Sequence, residues 1–160
     1  MERWDAYDGN FRRMEGVSLV RGEPIPAGVY HLVCDVLVRH TDGSYLLMRR
    51  DPRKHYGGLW EATAGGSALQ GEAPLDCARR ELREETGIRA EELQELGRVR
   101  SANTHYVEFL CVTDWPKDGV TLQAGETVAY RWVSREEFLS LRNGELVTKR
   151  VQGFLPELRG

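Results

Sequence analysis

Three glutamates lie close together in one short segment, and their spacing could hold a divalent cation. Glu81, Glu84 and Glu85 stand at positions i, i+3 and i+4, a spacing that puts side chains next to one another on a helix. Carboxylates placed so closely repel, at about a few tenths of a kcal/mol for each pair. Magnesium prefers carboxylate oxygens and substrate phosphates, so a bound cation would relieve this repulsion. The alternative is a solvated acidic face whose charge is balanced by neighbouring arginines.

The segment Pro74–Thr86 has the features of an amphipathic helix. Leu75, Ala78 and Leu82 recur at helical spacing and form an apolar stripe. Proline suits the first turn, and Gly87 suits the position just after the last turn. The glutamates therefore lie on a face that adjoins the buried stripe.

The rest of the chain predicts strands on both sides of this helix in sequence. Residues 1–29 are polar with turn signals and predict an N-terminal ribbon laid against the domain. Strands are expected at 30–38, 45–48, 60–64, 96–100, 106–112 and 128–133, with a hairpin turn at 41–44. Ser134 begins a short helix with a capping box, and Glu145–Leu158 predicts a final helix interrupted at Gly153. Such an order indicates a mixed α/β sandwich.

Composition places the chain among ordinary globular proteins. Its 160 residues fit a single domain, with 41% hydrophobic and 29% charged residues. A net charge of -3 gives no general reason to expect a nucleic-acid duplex or a membrane surface as partner. No apolar run approaches a membrane span, the N-terminus lacks a signal-peptide core, and the three scattered cysteines predict buried side chains. We expect a cytoplasmic protein.

A longer pattern, from Gly66 to Ile88, decides between a metal site and a solvated face. This segment resembles the Nudix box: a glycine, then Glu after five residues, then Arg-Glu and a hydrophobe after seven more, then two glutamates, a glycine and a hydrophobe. All nine fixed positions match, namely Gly66, Glu72, Arg80, Glu81, Leu82, Glu84, Glu85, Gly87 and Ile88. The chain is identified by this pattern as similar to Nudix hydrolases.

The resemblance implies a fold and an activity. The fold would be a Nudix α/β/α sandwich with a mixed sheet and a catalytic loop–helix–loop. The reaction would be attack by water on a diphosphate linkage in a nucleoside diphosphate derivative or a similar organic diphosphate. By the family pattern, the cofactor would be Mg²⁺ or Mn²⁺, held by the three box glutamates and the carbonyl of Gly65. Arg80 and Glu72 would orient those carboxylates.

The residue that acts as general base is left open between two candidates. In the family the base comes either from the box helix or from a later loop. Glu81 is the candidate on the helix. Glu126, six residues before Trp132, is the candidate in a loop, although an exposed charge in a turn is an equally good interpretation.

The loop from residue 49 to residue 60 is basic and contains aromatic residues, as a substrate wall would. Arg49, Arg50 and Lys54 could bind substrate phosphates, while Tyr56 and Trp60 could line a pocket for an organic group. Loop charges that are merely solvated are the alternative.

Two other functions compete with hydrolysis. The N-terminal part resembles Nudix proteins related to isopentenyl-diphosphate isomerase, but the isomerase cysteine is replaced by Gly65 here. A non-catalytic nucleotide-binding module on the same fold is the other alternative. We expect a small-molecule diphosphate as the partner, and the sequence leaves the oligomeric state open, a homodimer included.

Overall fold

The computed structural model describes residues 1–142 and 144–154. Within them lie nine strands, two α-helices and one 3-10 helix. In chain order they are β1 (Arg3–Tyr7), β2 (Arg13–Val20), β3 (His31–His40), β4 (Tyr45–Arg50), β5 (Trp60–Glu61), β6 (Ala64–Ser67), α1 (Pro74–Thr86), β7 (Gln94–Ser101), β8 (Thr104–Thr113), β9 (Thr127–Val133), α2 (Arg135–Ser140) and the 3-10 helix Arg150–Gly153.

A seven-stranded mixed sheet forms the centre of the molecule. Its main path runs β5-β4-β3-β8-β7, while β6 pairs with β3 and β9 pairs with β4. β3 and β8 are parallel over ten residue pairs, from His31–Thr104 to His40–Thr113. The other pairings in the sheet are antiparallel. The two middle strands therefore come from distant parts of the chain.

Each face of this sheet is covered by its own apolar cluster. Even-numbered side chains of β3, such as Val36, pack with Ala78 and Leu82 of α1. Odd-numbered ones, such as Leu37, pack with Phe138 of α2 and with Val151. This alternation follows from the two-residue period of a strand, and it gives the predicted α/β/α sandwich.

Helix α1 has the predicted limits. Ala78 and Leu82 are fully buried, and Leu75 packs at the edge of the same cluster. Gly87 ends the helix in the left-handed conformation, with φ 79°, which costs glycine little. In α2, the Oγ of Ser134 accepts a hydrogen bond from the Glu137 N–H at 3.1 Å, as the capping pattern predicted.

Residues 1–29 contribute a two-stranded antiparallel ribbon, β1–β2. Tyr7 and Tyr30 exchange backbone hydrogen bonds of 2.8 and 2.9 Å, and Trp4 stacks on His31 with ring centroids 4.4 Å apart. The ribbon is thereby tied to the start of β3.

Two predicted elements are wrong, for the same physical reason. The expected strand 60–64 is two strands, because its first residues pair with β4 and Ala64–Ser67 pairs with β3. The expected helix Glu145–Leu158 is absent up to residue 149, because Leu146 forms a bridge with Trp60 instead. The backbone of Trp60 bonds Glu145 and Val147 at 2.8 and 3.0 Å. Residues 155–158 of that predicted helix lie outside the described residues.

All three cysteines are buried, as predicted, and their thiols are free. In the part of the chain that the structure describes, no helix is long and apolar enough to cross a membrane.

Candidate active site

The box glutamates lie where α1 meets strand β6. The backbone N–H of Gly65 donates a hydrogen bond to Glu85 Oε2 at 3.1 Å. A Cβ placed on Gly66 would lie 2.5 Å from Glu81 Oε1, so a glycine is needed for Glu81 to come this close to the strand. The two adjacent glycines thus allow the helix carboxylates to contact the sheet backbone.

Arg80 connects the carboxylates to the loop before the helix. Its guanidinium donates to both oxygens of Glu72, at 2.7 and 3.0 Å, and to the carbonyl of Ser67 at 3.2 Å. Its Nη1 also donates to Glu81 at 2.9 Å and to Glu84 at 3.2 Å. Arg80 therefore fixes the direction of Glu81 and Glu84, and Glu72 fixes the direction of Arg80.

Burial and mutual repulsion alter the acidity of this group. Burial raises the pKa of Glu81 to about 7, against the opposing effect of Arg80 and with a further increase from Glu84. Burial also raises the pKa of Glu85 well above its ordinary value, and Glu61 and Glu81 raise it further. A nearby positive charge would stabilise the ionised form of both carboxylates.

A cavity of about 380 Å³, which we call the acidic cavity, brings distant parts of the chain to these carboxylates. Glu126, from the loop before β9, lines it and forms an ion pair with Lys54. Arg50 also lines it and forms an ion pair with Glu61. Among the lining residues are Arg50, Lys54, Gly65, Gly66, Glu81, Glu84, Glu85 and Glu126.

The other basic and aromatic residues of the 49–60 loop have different surroundings. Arg49 donates to the carbonyl of Gly58 at 3.1 Å and lies 6.0 Å from the ring of Trp60. Tyr56 is 58% exposed and packs against His55. Arg49, Tyr56 and Trp60 are not lining residues of the acidic cavity, so their role in substrate binding stays a prediction.

The sequence model of the NUDIX domain matches residues 29–151, which contain every lining residue of the acidic cavity except Glu2 and Arg21. The chain belongs to the Nudix family. It is a hydrolase of pyrophosphate bonds.

Similar proteins agree with this Nudix assignment. A Nudix hydrolase of Listeria monocytogenes is 32% identical over 155 residues, which is 92% of this chain and 89% of the relative. A MutT protein of Methanosarcina mazei Go1 superposes with a TM-score of 0.62 at 27% identity, over 71% of this chain and 83% of the other. The DR0079 structure from Deinococcus radiodurans gives a TM-score of 0.72 at 18% identity over 87% of each chain, a likeness of fold.

Nudix hydrolases generally use a divalent cation such as Mg²⁺ or Mn²⁺, and the donors in this cavity fit one. Carboxylate and carbonyl oxygens are the hard ligands that these ions prefer, and Glu81 and Glu85 are held near other negative charges. Over residues 1–142 and 144–154, no three His, Cys, Asp or Glu side chains are already arranged to coordinate a metal ion. Arg80 donates to one oxygen of Glu81, and the Gly65 N–H donates to one oxygen of Glu85, so a bound ion would share these carboxylates with those donors.

Sequence reasoning missed four charged residues on or beside the sheet of this Nudix domain. Glu61 pairs with Arg50, while Arg150 forms ion pairs with Asp35 and Glu108. A signal was present for two of them, because Asp35 and Glu108 each stand between apolar neighbours within their strands. A charged residue in such a strand is informative, since buried charges are rare unless paired.

Proposed function

We propose that the chain hydrolyses the diphosphate linkage of a nucleoside diphosphate derivative or a similar organic diphosphate, with water activated by Mg²⁺ or Mn²⁺. The observation that carries this proposal is the acidic cavity. It gathers Glu81, Glu84 and Glu85 of α1 together with the cations Arg50 and Lys54. A diphosphate with its metal needs both kinds of group, because its charge must be neutralised on every side.

Each side chain has a distinct part in this proposal. The three glutamates and the Gly65 carbonyl would hold the metal, which when bound neutralises the diphosphate and makes water more acidic. Arg80, set by Glu72, keeps Glu81 and Glu84 directed at the cavity.

Arg50 and Lys54 would bind substrate oxygens after exchanging their present carboxylate partners. Two groups stay candidates for the general base, Glu81 and Glu126.

We also propose that residues 1–160 act as one domain, with residues 1–29 packed on it. The backbone pairing of Tyr7 with Tyr30 supports this, because it joins the ribbon to the start of β3, the strand that pairs with β6.

Metal binding gives a direct test of the ligand assignment. Changing Glu84→Gln together with Glu85→Gln removes two negative charges from the proposed ligand set. We expect the affinity for Mg²⁺ or Mn²⁺ to fall at least about tenfold, since these ions bind anionic oxygen far better than amide oxygen. Calorimetric titration of the purified protein measures this.

The matched control is Glu91→Gln with Glu92→Gln, which removes the same charge from an exposed pair beyond the helix. That control should bind metal like the wild type. Equal binding by the Glu84 and Glu85 variant would contradict the site.

The reaction class is tested by a screen of organic diphosphates with magnesium, reading released phosphate and product masses. We expect hydrolysis of at least one compound, abolished by chelation of the metal. Failure on all nucleoside and non-nucleoside diphosphates would overturn the proposed function.

The isomerase alternative makes the opposite prediction for isopentenyl diphosphate. We expect no conversion to dimethylallyl diphosphate, because Gly65 replaces the isomerase cysteine. A Cβ at that position would lie 2.1 Å from Asp35 Oδ1, so even the first atom of a side chain does not fit. NMR of the reaction products is the measurement, and isomerisation without hydrolysis would reverse the assignment.

A further inference from the structure

A second cavity, of about 210 Å³, opens on the face of the sheet opposite α1. We call it the sheet cavity; its lining includes Val33, Ala64, Val151 and five charged residues, Asp35, Arg50, Glu61, Glu108 and Arg150. Arg50, Gly65 and Gly66 line both this cavity and the acidic cavity. The two spaces therefore meet at the glycine pair.

The strand register places the acidic groups of the sheet cavity side by side on neighbouring strands. Asp35 is the Cα partner of Gly65 on β6 and of Glu108 on β8. Asp35 Oδ1 lies against Gly65, where a Cβ would be 2.1 Å away. The carboxylate of Asp35 therefore lies beside the backbone of Gly65, whose N–H donates to Glu85.

A single cation faces the two carboxylates. Arg150 donates from Nη2 to Asp35 Oδ2 at 2.8 Å and from Nε to Glu108, and its guanidinium lies 3.7 Å from the centre of the Tyr106 ring. Glu108 is 1% exposed. Asp35 and Glu108 therefore share one guanidinium, because Arg50, the other cation of the lining, pairs with Glu61.

The chemistry of the lining selects among the groups that a diphosphate can carry. Carboxylate oxygens accept hydrogen bonds from N–H groups, as in their pairing with the amino group of cytosine, and a hydrocarbon chain offers no such donor. The volume is below the usual 300–1,000 Å³ of a drug-sized pocket, so it suits one small ring system.

We propose that Asp35 and Glu108, held by Arg150, determine substrate specificity by accepting N–H groups of an amino-bearing nucleobase whose diphosphate lies in the acidic cavity. The inference rests on the proposed function and narrows it to nucleoside diphosphate derivatives carrying cytosine, adenine or guanine. Of the two carboxylates, Asp35 lies nearer to the acidic cavity, because its Oδ1 is beside Gly65. Its other oxygen, Oδ2, accepts the hydrogen bond from Arg150.

The test compares substrates that differ only in the base, with one leaving group kept throughout. Cytidine and uridine form one pair, adenosine and inosine the other, and isopentenyl diphosphate serves as the hydrocarbon member. We expect the wild type to prefer the amino-bearing base by roughly 10- to 100-fold in kcat/KM, the effect of one hydrogen bond to a charged group. Asp35→Asn should reduce that ratio to near one, mainly through KM.

The ratio of two substrates on one preparation does not depend on how much of a variant is folded. Asp42→Asn is the control, since Asp42 lies in the exposed β3–β4 turn and pairs with Lys117, and it should keep the wild-type ratio. Hydrolysis of both members at equal rates, or a ratio unchanged by Asp35→Asn, would overturn this inference and leave the proposed function standing. Absence of hydrolysis on every substrate would overturn both.

Discussion

Glu81→Gln is expected to lower turnover roughly 10²–10⁴-fold, the usual loss when a general base is removed. The side chain lies between Arg80 and Gly66 on the wall of the acidic cavity. Glutamine keeps the shape and can still accept the hydrogen bond from Arg80, but it carries no negative charge for a metal or a proton. Kinetics at saturating metal, on a substrate identified by the screen, measure the loss.

The same variant should keep its fold. Glu81 is not part of the apolar cluster beneath α1, so we expect the melting temperature to stay within about 3 °C of the wild type. Near-normal turnover by a folded Glu81→Gln protein would show that the active centre is elsewhere. Glu126→Gln is the companion variant, because a larger loss there would assign the base to the loop.

Leu82→Ala should have the opposite pattern, a large loss of stability, because Leu82 belongs to the apolar cluster beneath α1. Leu82 is fully buried between α1 and the sheet, and truncating such a side chain costs about 2–5 kcal/mol because a cavity remains. Denaturant unfolding gives the free-energy change.

Leu122→Ala is the matched control. Leu122 is 44% exposed, so its truncation should change the free energy of unfolding by less than about 0.5 kcal/mol. A Leu82→Ala protein as stable as the control would mean that α1 is not packed on the sheet as described.

Helix α1 could be predicted to the residue because several local signals agree. Its first proline, its apolar stripe and Gly87 all lie within the same short segment, and each acts through neighbours in sequence. The shared face of Glu81, Glu84 and Glu85 follows from the same periodicity. Local geometry of this kind can be read without knowing the rest of the fold.

The errors arose where a segment changes partners. Residues 60–61 pair with β4, whereas residues 64–67 pair with β3. Residues 145–147 pair with Trp60 instead of continuing as a helix. Hydrophobic periodicity does not predict either pairing, because each pairing depends on which strand edge is available in the folded sheet. The meeting of Asp35, Glu108 and Arg150 has the same origin, because it joins three separate segments.

The parallel pairing of β3 with β8 has a consequence for how the protein is made. His31 and Thr104, at the start of that pairing, are 73 residues apart. At a synthesis rate of about 5–20 residues per second, roughly 4–15 s pass between the two strands leaving the ribosome. During that interval the apolar β3 lacks its central neighbour, and an unpaired strand of this kind can pair with other chains. Slow translation between these strands would therefore favour aggregation, and a chaperone that covers β3 would raise the yield of folded enzyme.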